Sequence, residues 1–432
     1  MSRKLTTIII VLFILLLGGA FVGFYLYLNN ETGTDPEISP TPSGTPQNLF
    51  PFPNNPPPSS PNPNPGQNPP PGVSPNQQLP TSTNKLKKIS VEPVAGITFV
   101  DRENISKIRY IERKTLPRIY EVSPDDQRQE RLLNTDIRSV VYDGVWAEQG
   151  RGVAVRYLKD DGTTIEGFYG KLVAMDMTTT TGSRIGASTV AESDTHEFEA
   201  TFLPQNVTSI TSSPKGDKLF YLVSHGNGAS GVMINPDGTK KTTLFDSPSD
   251  EWIALWPNET TVTLQTKATA HTNGYFYSLN TKTALFQQLI GNIRGLTASL
   301  NPAGDTVLYS GSSNGEIVTS LYNVKTGGSF ELDVKTFPEK CAWSRIEAAV
   351  FCAVPKDLFP AEYPDLWYQG GINFNDTLVK IDSKTGAVEL IADLETFGKT
   401  TFDAVDLKLN AAENYLAFIN KNDQTAWVYD LE

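Results

Sequence analysis

Three stretches of the chain share one rhythm, a polar turn followed by alternating apolar positions. They are Ser213–Tyr221 (SPKGDKLFY), Asn301–Tyr309 (NPAGDTVLY) and Asn410–Phe418 (NAAENYLAF). Period-two alternation behind a turn is the mark of a half-buried strand leaving a hairpin. Two degenerate copies, WPNETTVTL from Trp256 and WSRIEAAVF from Trp343, keep the same frame, and weaker ones fall at Trp146 and Val100. The registers at 100, 146, 213, 256, 301, 343 and 410 are separated by 46, 67, 43, 45, 42 and 67 residues. The four shorter steps match a four-stranded propeller blade, and the two long ones carry insertions of about 20 residues.

A second landmark follows several registers: an apolar strand ending in a polar turn. It reads Ile234–Gly238 (INPDG), Tyr322–Gly327 (YNVKTG) and Ile381–Gly386 (IDSKTG). Asp-Gly and Thr-Gly turns between period-two strands indicate hairpins. No long stretch after Lys87 keeps a 3.6-residue period, so the expected fold is all-β, a propeller of seven four-stranded blades over 86–432. A weak register that failed would make it six or eight. The last unit, Asp403–Glu432, has room for three strands only. The segment LKKISV from Leu86 offers a strand before the first register, and pairing the two ends would close the ring and remove its open edges.

Ahead of the propeller the pattern changes twice. Leu5–Leu28 is a run of 24 uncharged, mainly apolar residues, and about 20 suffice for a helix to cross a bilayer. Arg3 and Lys4 precede it, whereas Glu31, Asp35 and Glu37 follow. This charge bias places residues 1–4 in the cytoplasm, 5–28 in the plasma membrane as a single-pass signal-anchor, and the rest of the chain outside. Cleavage after Ala20 as a signal peptide is the competing expectation, and it leaves that topology unchanged. Residues 29–85 form a Pro-rich segment with 17 prolines between Pro36 and Pro80. Such a composition cannot bury enough apolar surface to order itself. Its expected role is a disordered, semi-rigid spacer reaching on the order of 100 Å.

Charge and chemistry narrow the function. The net charge of −12 opposes binding to a phosphate backbone, so nucleic acid is not an expected partner. Gly226, Gly228 and Gly231 spell GxGxxG, but a strand-like segment follows where a dinucleotide site needs a helix. Gly311–Gly315 matches GxSxG, yet no histidine follows Ser313, so a hairpin turn is expected rather than a nucleophile elbow. The three histidines, His196, His225 and His271, lack metal-ligand spacing. No catalytic residue, metal ligand or cofactor is therefore assigned.

The repeat S-P-x-G-D-x-L-x-Y resembles the WD40-like propeller repeat of the TolB family, over most of the chain after the spacer. That resemblance implies the fold and a tendency toward protein partners. Two further features lie in the sixth blade. Cys341 and Cys352 stand symmetrically about Arg345–Ala348, so a hairpin there would set them face to face; a four-residue loop would put them at a non-hydrogen-bonded pair, close enough for a disulfide, and a two-residue loop at the less favourable pair. An extracytoplasmic location permits the bond. The insertion from about Pro355 to Asn375 holds Phe359, Tyr363, Trp367, Tyr368 and Phe374. On the face where propellers commonly bind ligands, these aromatics would contact a protein or stack on a sugar; alternatively they pack down and seal the ring, which is the preferred of the two readings. The other insertion, near Asp176–Ala200, reads as a solvated excursion on the opposite face.

Two functional classes follow from these features. The first is a membrane-anchored, non-catalytic module that binds an envelope or cell-surface protein or a glycan. The second is an extracellular carbohydrate-active enzyme using acidic residues at the channel mouth.

Overall fold

A computed structural model describes residues 85–103, 105–126, 130–137, 139–175 and 195–432. The expected anchor and the Pro-rich segment up to residue 84 lie outside the described residues, as does 176–194 within the second blade. Among the described residues no helix is long and apolar enough to cross a membrane.

Seven four-stranded antiparallel sheets make up the propeller, each built from strands consecutive in the chain except at the closure. The inner strands are Val94–Arg102, Asp143–Ala147, Val207–Ser212, Trp252–Asn258, Thr297–Leu300, Cys341–Trp343 and Ala404–Leu409. Every sequence register falls within one of these strands or on the residue directly after it, so the ring has seven blades. The closure also holds. Leu86–Lys88 pairs antiparallel with Thr425–Asp430 and supplies the outer strand of the seventh blade. One expectation needs correcting: residues 196–200 belong to the outer strand His196–Phe202 of blade 2, whose alternation was obscured by its Glu and Thr content.

The repeat owes its composition to turn chemistry. In three blades the leading Ser or Asn bends its side chain back to close the first hairpin. Ser213 Oγ accepts from the Lys218 amide at 3.1 Å, Asn301 Oδ1 from the Thr306 amide at 3.0 Å and Asn410 Oδ1 from the Tyr415 amide at 2.9 Å. The fourth position of the motif is left-handed, with φ of +72° at Gly216 and +75° at Gly304, a conformation that glycine adopts without penalty. The second landmark works alike: Asn323 Oδ1 and Asp382 Oδ1 each accept two amides of their own turn.

Between blades, apolar packing is supplemented at each junction by a hydrogen bond that a side chain donates or accepts. Buried Arg109 of blade 1 donates to the Gly150 carbonyl at 2.7 Å, and Arg156 of blade 2 to the Thr208 carbonyl at 2.6 Å. Ser209 accepts from the Ala254 amide, Gln265 from the Ala298 amide, and Ser299 from the Trp343 indole. Asp376 accepts from the Ala404 amide at 2.7 Å, and Asp101 closes the circuit by accepting from the Ala411 amide at 3.0 Å. A buried polar group left without such a partner costs about 1–3 kcal/mol, so these bonds fix the angular position of each blade.

A chain beginning at Ile89 loses the outer strand of blade 7 and uncovers Trp427 and Tyr429, which are buried in the intact ring. Its thermal midpoint should fall by more than about 5 °C relative to a chain beginning at Lys85, measured by circular dichroism.

Candidate functional site

The insertion of blade 6 lies across the face formed by the loops between second and third strands. Its polar contacts reach three neighbouring blades. The Ala361 amide donates to the Gly315 carbonyl of blade 5 at 2.8 Å, and Asp365 accepts from the Ala270 amide of blade 4 at 2.7 Å. On the other side, Lys421 of blade 7 donates to the Trp367 carbonyl at 2.8 Å. Gly315 belongs to the two-residue turn Asn314-Gly315, with φ of +52° and +79°, the type I′ geometry of a tight hairpin. The expected hairpin over Gly311–Gly315 is thus present, and its tip is a seat for the insertion.

The aromatic side chains divide sharply. Tyr363, Trp367 and Phe374 are 1%, 3% and 4% exposed, Tyr368 is half-buried, and Phe359 is 57% exposed. Trp367, in the short helix Asp365–Tyr368, stacks on Phe337 at 4.9 Å and lies 5.9 Å from Phe374. These rings share one buried cluster with Ile97 and Phe99 of blade 1, Ile317 of blade 5, and Val405 and Ile419 of blade 7. The insertion therefore acts as a lid. Of the five aromatics singled out in the sequence, Phe359 alone remains largely open to solvent.

Beneath the lid sits a charge cluster with no sequence motif. Lys340 ends the 3-10 turn Pro338–Lys340, Asp376 begins the third strand of blade 6, and Asp403 directly precedes the inner strand of blade 7. All three are fully buried. The Lys340 ammonium donates to Asp376 Oδ2 at 2.8 Å, to Asp403 Oδ1, and to the Ala404 carbonyl at 3.1 Å. It also lies 5.5 Å from the Trp367 ring and 5.3 Å from the Phe374 ring, within cation–π range. The Trp367 indole and the Phe374 amide donate to Asp403 Oδ2 at 2.8 and 3.2 Å. The lid is thereby tied to the ring through Asp403.

Burial dominates the electrostatics. It works against the Lys340 charge, but Asp376 and Asp403 outweigh it and hold the ammonium above its ordinary value. The Asp376 carboxyl is pushed up to about 7 by burial, with Lys340 pulling the other way and Asp403 adding to the rise. Lys421, capping the lid from blade 7, is brought down to about 8 by the same loss of water. Beside them Glu339 receives the Tyr368 hydroxyl, and burial raises its carboxyl as well.

Two carboxylates on one cation are the elements of an acid–base pair, yet no solvent reaches any of the three side chains. The arrangement fastens the lid and offers no path for a substrate. Among the described residues no group of three or more His, Cys, Asp or Glu is gathered to hold a metal ion.

Cys341 and Cys352 pair across the first hairpin of blade 6 with Cα atoms 4.1 Å apart, and their sulfurs are bonded. The bridge begins one residue after Lys340. Sequence reasoning found the cysteines and the aromatics but missed Lys340, Asp376, Asp403 and Lys421. The available signal was a single charge set directly against an apolar strand, as in KCAW, DTLV and DAV.

No protein-family model matches the chain, and no curated protein matches it. Solved structures similar to it are propellers of diverse kinds. The WD40 repeats of RRP9 align with TM-score 0.50 and 11% identity over 82% of this chain and 99% of theirs. TolB from Acinetobacter baumannii aligns with TM-score 0.39 and 9% identity over 75% of this chain, which spans 63% of the TolB chain. An oligogalacturonate lyase in complex with manganese aligns with TM-score 0.41 and 10% identity, over 79% of this chain and 78% of its own. At such identities the likeness concerns the fold alone, a β-propeller that serves scaffolds and enzymes alike.

Two lysines of the cluster can be tested by substitution. Lys340→Met leaves two buried carboxylates without their cation, so it should destabilise the fold by about 3–5 kcal/mol in denaturant unfolding and shift Trp367 emission to the red. The second is Lys421. Between about 8 and the ordinary lysine value, the unfolded chain holds a proton that the folded chain has released. Stability from this group therefore rises with pH across that window, and Lys421→Met should flatten the rise in urea titrations.

Proposed function

We propose that the chain is a non-catalytic propeller, held outside the plasma membrane by its N-terminal anchor and Pro-rich spacer, where it binds an envelope or cell-surface protein. The observation that carries this reading is the sealed cluster. The carboxylates that gather at the lidded face, Asp376 and Asp403, are buried and ion-paired, which argues against acid–base work on a polysaccharide. What the lid does present is Phe359, 57% exposed, beside the exposed acids Asp357 and Glu362. An apolar anchor in a polar rim is the composition of a protein contact.

A photo-crosslinking residue at Phe359 of the full-length chain, irradiated on intact cells, should give a discrete adduct that the same residue at Lys282, in a turn of blade 4, does not. Release of sugar fragments from a panel of extracellular polysaccharides by the purified chain would contradict this reading and favour the enzymatic one.

A further inference from the structure

The Lys340 cluster places an amine against a carboxyl in surroundings that exclude water. The amine has two carboxyls and one carbonyl as acceptors. The two carboxyls have unequal environments. Asp403 is held at both oxygens: Oδ1 by Lys340, and Oδ2 by the Trp367 indole and the Phe374 amide. Asp376 is held at one only. Its Oδ2 takes the Lys340 ammonium and the Ala404 amide, while its Oδ1 is buried without any hydrogen-bond partner. A fully buried carboxyl with an unpartnered oxygen costs more as a charged carboxylate than as the neutral acid.

From this geometry we propose that Lys340 and Asp376 condense to an intramolecular isopeptide bond. Asp403 is the proton carrier. It takes a proton from the Lys340 nitrogen, and the freed lone pair attacks Cγ of Asp376. The N–C bond forms and the Cγ–Oδ1 bond breaks. As the bond forms the nitrogen sheds a second proton, and Oδ1 leaves as water carrying both protons, each passed on through Asp403. An ammonium and a carboxylate thus become one secondary amide and one water, with no oxidant, reductant or cofactor. Asp376 Oδ2 becomes the amide oxygen and keeps the Ala404 amide as its donor. The remaining N–H keeps an acceptor in Asp403 or the Ala404 carbonyl.

Three features drive a condensation that free amines and acids do not undergo in water. Burial raises the Asp376 carboxyl to about 7, so a protonated, electrophilic form is accessible at neutral pH. Reacting groups fixed in contact reach effective molarities of about 10⁵ M or more. The Phe337, Trp367 and Phe374 rings, all under 5% exposed, keep out the water that would reverse the step. The bond would join the two ends of the segment from Lys340 to Asp376, enclosing both the Cys341–Cys352 bridge and the whole lid.

Mass spectrometry of the intact, reduced full-length chain tests the proposal without relying on any variant. The measured mass should fall short of the sequence mass by one water. After unfolding and amine acylation every lysine except Lys340 should be modified, and proteolysis should yield one branched peptide joining Lys340 to Asp376. Lys340→Arg and Asp376→Ala should each restore the full mass, and Asp403→Asn should leave the bond unformed in chain that retains native circular dichroism. A wild-type chain of full mass with acylated Lys340 overturns the proposal, and so does a branched peptide joining Lys340 to Asp403.

Discussion

The contact between Lys340 and its two aspartates decides how this face of the ring is organised. The three residues come from a turn before blade 6, from its third strand and from the entry to blade 7, so they meet only once both blades are in place. Taking them out of water is unfavourable, and a buried ion pair by itself contributes little net stability. Its effect here is on position. Asp403 holds Trp367 and the Phe374 amide, Asp376 holds the first amide of the next inner strand, and Lys340 holds both acids. A lid that packed through its aromatic rings alone could slide; one whose indole must reach a particular carboxylate has a single seat.

The rest of the ring follows the same division of labour at lower charge. Alternating apolar residues build the blades, and one polar side chain at each junction ties a blade to its neighbour. Blades 1 and 2 use arginines, blades 3 to 5 use neutral hydroxyls and an amide, and the lidded sector uses ionised groups. Closure by Leu86–Lys88 completes the last sheet with a strand that precedes blade 1, so the ring is joined by hydrogen bonds where the propeller segment begins and ends.

Local chemistry was legible in the sequence. The Ser213, Asn301 and Asn410 turns repeat because each side chain closes a hairpin within five residues, and that is a short-range event a linear pattern can carry. The seven registers and the facing of Cys341 on Cys352 are of this kind, and the closure of Leu86 on Tyr429, though distant in the chain, was legible because the last unit has room for three strands only. The seat of the lid was not legible, because Lys340 lies 36 residues from Asp376 and 63 from Asp403, and a charge set against an apolar strand does not say which other charge it meets. The aromatic density of the insertion was visible, but whether those rings face outward or inward depends on partners in four other blades. The strand from His196 was hidden for a different reason: an outer strand is wetted on one face, and its Glu and Thr content reads like a loop.

The insertion is therefore part of the folded core of the ring. Amide hydrogen exchange on the native chain, resolved to the segment 361–376, tests this most directly. These amides should exchange as slowly as those of the second strand of blade 6, Ala349–Pro355, and open only with it. Exchange of the segment at the rate of the exposed hairpin turns, while the blade stays protected, would contradict it.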